Sequence, residues 1–186
     1  MRKSKATIIL FALWLLCGTM LSAGERPEEW AQPIVLEGVK NLYRISPLLY
    51  RSAQPAQVGM RNLERLGVKT VINLRSLHSD KHKIEGTSLL NPQLHILTWK
   101  IQDQQVIQVL KMLRRPENGP FLIHCQHGAD RTGLMSAMYR IIEQGWTKQA
   151  AIREMIEGGY GYHPMWRNII RYIEQVDVEK IRKALE

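Results

Sequence analysis

Between His124 and Gly133 the chain reads HCQHGADRTG, a cysteine followed six residues later by an arginine. A short apolar run from Phe121 to His124 leads into it, and Leu134, Met135, Met138, Ile141 and Ile142 follow at helical spacing. A loop joining a buried strand to a helix can turn its backbone N–H groups inward, above the positive end of the helix dipole. That makes an anion cradle. Gly128 permits the backbone turn, and Arg131 adds a planar fork for two oxygens. The same field favours the thiolate of a cysteine at the start of the loop. Nucleophile and anion site therefore coincide at Cys125. The chemistry that suits them is nucleophilic cleavage of a phosphate ester, with the guanidinium and loop amides stabilising the equatorial oxygens. It calls for no cofactor and no metal.

Other readings of these residues compete. A free cysteine is often an inert core residue. His124, Cys125, His127 and His163 together could suggest a metal site, but their spacing matches no standard zinc pattern. Arrangements of this type also serve sulfurtransferases and arsenate-reducing enzymes.

The elements around the loop follow from pattern. Val39–Ile45 and Leu48–Arg51 read as short strands around a Ser46-Pro47 turn. Pro55 opens a helix that Gly67 ends, and residues 68–74 (VKTVINL) are a β-branched strand. Residues 78–91 are a polar loop, and 94–98 a weaker strand. Val106, Ile107, Leu110 and Leu113 recur at helical spacing after Asp103, which suits an N-cap. Thr147 caps a helix ending at Gly158, another follows Pro164, and Asp177 caps a last short one. Strands alternating with helices, then a helical C-terminal half, give an α/β fold. The Met and aromatic stripes are core rather than a cofactor box.

Residues 1–23 read as a secretory signal peptide, with a basic start at Arg2, Lys3 and Lys5 and a 15-residue apolar run from Thr7 to Leu21. The expected location is periplasmic or secreted. The alternative is an uncleaved membrane anchor, because Leu21 is a poor residue at its place before the cleavage point. Residues 24–38 are expected as a linker and 39–186 as one domain. Loss of the signal takes the formal net charge from +9 to +6 and removes Cys17, leaving Cys125 as the sole thiol. No disulfide framework is then available. The basic balance suits anionic partners or simply a soluble surface, and without a dense Lys/Arg run interleaved with aromatics a nucleic-acid partner is not indicated.

His-Cys, five residues, Arg-Thr resembles the signature of the cysteine-dependent protein tyrosine phosphatases. LYRSAQP (49–55), LGVKTVINLR (66–75) and YRIIEQGWTKQAAIREMIEGGYG (139–161) are similar to the compact dual-specificity branch, and within it to periplasmic tyrosine phosphatases of Gram-negative bacteria. The resemblance covers roughly residues 40–176. It implies a central mixed β-sheet flanked by helices. It implies Cys125 as the nucleophile that becomes phosphocysteine, and Arg131 as the phosphate ligand. Gln126, His127, Gly128, Ala129 and Asp130 then supply backbone donors, His124 orients the loop, and Thr132 hydrogen-bonds the sulfur.

In that family an aspartate, from the loop before the helix that precedes the signature strand, protonates the leaving oxygen. Here that loop is TWKIQD (98–103), and its only acid is Asp103. Asp103 is read either as that general acid and then base, or as a helix N-cap. It lies late in the loop, where Trp99 and Lys100 stand in the earlier positions. Asp130 and the more distant Asp80 are the remaining candidates. Ala129 and Asp130 occupy positions where phosphoinositide phosphatases often carry lysine, which ranks phosphotyrosine proteins, with phosphoserine and phosphothreonine, above lipid or inositol phosphates. A phosphoprotein-binding pseudophosphatase is the non-enzymatic alternative. The expected partner is a phosphorylated protein, the expected state a monomer, and membrane contact arises only if the N-terminal segment is uncleaved.

Overall fold

The computed structural model describes residues 26–186; the signal segment expected at 1–23 lies outside them. Five strands, β1 (Gln32–Pro33), β2 (Tyr43–Ser46), β3 (Leu49–Ser52), β4 (Thr70–Asn73) and β5 (Phe121–His124), form one mixed sheet in the order β1-β2-β3-β5-β4. β1 and β2, and β2 and β3, run antiparallel, whereas β5 lies parallel to both its neighbours. Six α-helices are described: α1 (Gln57–Arg65), α2 (Asp103–Leu113), α3 (Asp130–Glu143), α4 (Lys148–Glu157), α5 (Arg167–Gln175) and α6 (Val178–Lys183).

The three parallel strands are buried on both faces, and successive side chains point to opposite sides. Tyr50, Val71 and Leu122 pack with Met60 and Leu63 of α1 on one face. Leu49, Ile72, Phe121 and Ile123 pack with Leu110, Leu134, Met138, Ile169 and Ile181 on the other. Thus α1 covers one face and the remaining helices cover the other, a layered arrangement that leaves the C-terminal end of the sheet free for the site.

Two expectations are corrected. Residues 26–38 are not a free linker. They carry β1, and Ala31 is buried with its N–H on Glu154 Oε1 at 2.7 Å. Arg26 donates to Ala31 O, Gly158 O and Tyr160 Oη, so the segment is tied to the domain by a cation that composition alone left looking solvated. Residues 94–98 do not form a strand. Leu94 and Ile96 are buried with the expected alternation, yet the segment meets β4 only through the Asn73–Gln93 bridge and the Leu94 N–H on Asn73 O. Pro92 removes one donor there, and a turn closed by Lys100 N on Leu97 O ends the extended stretch.

Elsewhere the end signals act as expected. The Thr147 hydroxyl accepts from Ala150 N at 3.1 Å to start α4, and Asp177 accepts from Lys180 N at 3.0 Å to start α6. Beneath α3 and α4, Arg140 and Glu154 form a bidentate pair at 2.8 Å in both arms, with both residues at most 3% exposed.

Candidate active site

β5 ends at His124, α3 begins at Asp130, and residues 125–129 turn between them. Three successive carbonyls of this loop are drawn outward by donors from residues 41–54. Gln126 O accepts from Gln54 N at 3.2 Å, His127 O from Asn41 Nδ2 at 2.8 Å, and Gly128 O from the Arg51 guanidinium at 2.7 Å. Peptide units are planar, so a carbonyl turned outward sends the N–H that shares its plane the opposite way. Among the described residues no hydrogen bond uses the N–H of Gln126, His127, Gly128 or Ala129, and the first N–H groups of α3 lie beyond the reach of its own carbonyls. The result is an inward ring of donors over the α3 N-terminus. Gly128 sits at φ +70°, and a Cβ there would stand 2.5 Å from Ala53 N and from the Ser52 carbonyl carbon. Both the conformation and the contact with β3 require glycine.

Cys125 lies at the floor of this ring, 2% exposed. Under the loop, Arg51 is 1% exposed, with its guanidinium carbon 3.6 Å from the Tyr160 ring centroid. Burial lowers its pKa from the arginine value, and Tyr160, Glu154 and Cys125 partly offset this. Beside Cys125, His124 is fully buried. Its Nε2 meets Asp80 Oδ2 at 2.7 Å and its Nδ1 faces Cys125 O at 3.3 Å, both oxygen acceptors. Asp80 also accepts from Gln54 Nε2 at 2.5 Å and Asn91 Nδ2 at 3.4 Å. Burial raises the Asp80 carboxyl, but the hydrogen bonds from His124, Gln54 and Asn91 outweigh it, and the group stays below the usual carboxylate range. Gln54 in turn accepts from Arg75 at 2.8 Å, completing a chain from Arg75 to His124.

Arg131 borders a cleft of about 200 Å³ with Arg75, Leu77, His78, Thr98, Trp99 and Gln126. Burial and the Arg131 charge lower the Arg75 pKa, while Asp80 and Cys125 raise it, so two guanidiniums share this end of the site. Leu77 and Trp99 are 90% and 66% exposed, apolar lips on an otherwise cationic opening. A larger hollow of about 340 Å³ lies at the other end of β4 and β5, against Thr70 and Phe121, and neither Cys125 nor Arg131 lines it.

The acidic candidates do not meet in this cleft. Asp103 lines a separate hollow with Tyr172, Val176 and Lys180. Its Oδ2 takes Lys180 Nζ at 2.8 Å and its Oδ1 takes the Tyr172 hydroxyl at 3.0 Å. The Lys180 bond, aided by Tyr172, holds the carboxyl below its usual range, which is the wrong direction for a proton donor. Asp103 is not the N-cap either. Gln102 takes that place, with Gln105 Oε1 accepting from its N–H, and Asp103 is the first helical residue. Asp80 is enclosed, and Asp130, the first residue of α3, spends its carboxylate on the His163 N–H and ring at about 3 Å. The Thr132 hydroxyl is buried without a partner among the described residues, so the expected bond to the Cys125 sulfur is not formed. Among the described residues no group of three or more His, Cys, Asp or Glu is placed to hold a metal, and His124 is committed to Asp80.

Asn41, Arg51, Gln54 and Arg75 are the residues that sequence reasoning missed. Their one sequence signal is position: Arg51 and Gln54 lie in LYRSAQP, Arg75 in LGVKTVINLR, and Asn41 in the Val39–Ile45 run.

Comparison with known proteins agrees with this geometry. A family model described as DSP-PTPase phosphatase fused to NAD+ kinase matches residues 42–160. The dual specificity protein phosphatase TpbA of Pseudomonas aeruginosa is 40% identical over 165 residues, 88% of this chain and 74% of that protein. Its crystal structure matches with a TM-score of 0.78 over 87% of this chain and 99% of that one, and a variant of it has been crystallised with phosphotyrosine. The core catalytic domain of a PP-IP phosphatase from S. cerevisiae shares the fold at 22% identity, with a TM-score of 0.70 over 80% of this chain and 93% of that one.

Proposed function

The chain belongs to the dual-specificity family of cysteine-dependent phosphatases, and we propose that it hydrolyses phosphotyrosine esters of proteins, with phosphoserine and phosphothreonine as further substrates, through a phosphocysteine on Cys125. The observation that carries this reading is the outward anchoring of the Gln126, His127 and Gly128 carbonyls, which leaves their loop as a ring of donors directly over a buried thiol. A phosphate in that ring presents its phosphorus to Cys125. The thiolate attacks in line, and the Arg131 fork and the loop amides hold the equatorial oxygens as charge develops on them. Arg51 beneath the loop and the α3 N-terminus add positive potential to the same spot. Water then cleaves the phosphocysteine.

A protein substrate suits the opening better than a densely phosphorylated inositol. Beyond Arg75 and Arg131, the lips are Leu77 and Trp99, which suit an aromatic ring and a peptide rather than further phosphates. The phosphotyrosine complex of the Pseudomonas aeruginosa relative supports this. The basic and apolar pattern of residues 1–23 supports action outside the cytoplasm, in the periplasm or as a secreted protein.

The test is phosphate release from a phosphotyrosine peptide by the full chain, with acid quench to trap the phosphoenzyme. Wild type is expected to turn over and label at Cys125, and Cys125→Ser to do neither. Turnover by Cys125→Ser, or none by wild type, would refute the proposal.

A further inference from the structure

We infer that His78 is the proton donor to the leaving oxygen, the place that the family gives to an aspartate. The inference rests on the phosphatase reading and adds to it a catalytic residue. Cleaving an ester of tyrosine expels a poorly stabilised oxyanion, so a proton must come from a group that reaches the cleft. Among the described residues no carboxylate lines it. Asp103 is paired with Lys180 and Tyr172 in another hollow, Asp130 faces His163, and Asp80 is enclosed by His124, Gln54 and Asn91. Of the residues that do line it, Arg75 and Arg131 keep their protons in proteins. His78 remains, and imidazole is the side chain suited to giving and taking a proton near neutrality.

Its placement supports the role. His78 is exposed, so its ring is open to an incoming ester. Its backbone is held, because its carbonyl accepts from Asn73 Nδ2 at 2.8 Å and from Gln93 Nε2 at 3.2 Å, both anchored at the end of β4. The other histidines are committed elsewhere or stand away from this wall. His95 is on Ser76 O, His163 on Asp130, His124 on Asp80, His82 on Glu85, and His127 stands against His163.

In the first step the Cys125 sulfur forms a bond to phosphorus. The bond from phosphorus to the tyrosine oxygen breaks with its electron pair on oxygen, and that oxygen takes the proton of the protonated His78 ring, leaving as a neutral phenol. In the second step the neutral ring takes a proton from water as the water oxygen bonds to phosphorus. The sulfur–phosphorus bond breaks, its pair returns to Cys125 as thiolate, and inorganic phosphate leaves with the ring protonated again.

Leaving-group dependence tests this. His78→Gln and His78→Asn in the full chain are compared with wild type on a phosphotyrosine peptide and on nitrophenyl phosphate, whose phenol leaves without help. Inhibition by inorganic phosphate serves as the measure of an intact anion site. Read in kcat/KM, which covers only the steps up to phosphocysteine formation, the expected result is a loss of about 10²-fold or more on phosphotyrosine, a much smaller loss on nitrophenyl phosphate, and unchanged phosphate inhibition. Equal losses on both esters, or no loss on phosphotyrosine, overturn the assignment, as does the same selective loss in Asp103→Asn. If wild type hydrolyses neither ester, the phosphatase reading itself falls, and this inference with it.

Discussion

Gly128→Ala is the sharpest probe of the cradle, because one methyl group meets two separable penalties. The first is conformational. At φ +70° an L-residue costs roughly 1–2 kcal/mol. The second is steric. The new Cβ would lie 2.5 Å from Ala53 N, about 1 Å short of the 3.4 Å at which ordinary contact begins. β3 cannot retreat, since Ser52 is in register with His124 of β5. Overpacking of this kind costs about 1–3 kcal/mol, so the total is about 2–5 kcal/mol. For a domain of this size that lowers Tm by about 4–20 °C. Gly145 supplies the control. It has the same φ of +70° with nothing within 4 Å of a built Cβ. Gly145→Ala should lose only the conformational share, about 2–8 °C, and the entropy that alanine removes from the unfolded chain is common to both. Activity should separate them further. Relieving the clash moves the loop by about 1 Å, a misplacement that can cost on the order of 10²-fold in rate, whereas Gly145→Ala should keep wild-type kcat/KM. Thermal melts and nitrophenyl phosphate hydrolysis read both. Equal Tm losses in the two variants, together with full activity in Gly128→Ala, would refute the packing argument.

Three further outcomes are expected. Asp80→Asn exchanges charged hydrogen bonds to His124, Gln54 and Asn91 for neutral ones and should lower Tm. The Asp80 carboxyl is held below its unfolded value, so its contribution is complete above the unfolded range near pH 4 and disappears as pH falls through the lower folded value; the Tm gap between wild type and Asp80→Asn should close in that direction. Asp103→Asn should retain wild-type kcat on phosphotyrosine, because its carboxylate serves Lys180 and Tyr172; a large kcat loss would return it to the chemistry. Glu154→Ala leaves the buried Arg140 guanidinium without its bidentate partner and should cost about 3–5 kcal/mol, visible as a urea midpoint shift at unchanged m; a loss below 1 kcal/mol would show that Arg140 finds water or another acceptor.

Patterning carried the architecture well where local signals and burial agree. The run ahead of Cys125 is the observed β5, VKTVINL contains β4, and Thr147 and Asp177 cap the helices they precede. The signature locates Cys125, the loop between β5 and α3, and Arg131 without any knowledge of contacts. Pairing between distant segments was not legible. Arg51 reads as a surface cation in a short strand, yet it is nearly the most enclosed large side chain, because Tyr160 and the Gly128 carbonyl lie over a hundred and over seventy residues away in the chain. Asp80 sits in a polar stretch and reads as solvated, and only the folded register of β4 and β5 brings it to His124. Asp103 had the right loop and the right type, but the direction of its side chain depends on α5 and α6, which supply Tyr172 and Lys180.

The three carbonyl anchors make the cradle a product of long-range folding. Asn41, Arg51 and Gln54 stand more than seventy residues before the loop they shape, so no local fragment can assemble the donor ring. In an unfolded or half-folded chain Cys125 has no ring of donors above it. The ring closes only when β3 docks beside β5, so the anion site is withheld until the native topology is complete. The rate at which the refolding chain recovers phosphatase activity therefore reports the last long-range docking event, rather than the formation of α3 alone.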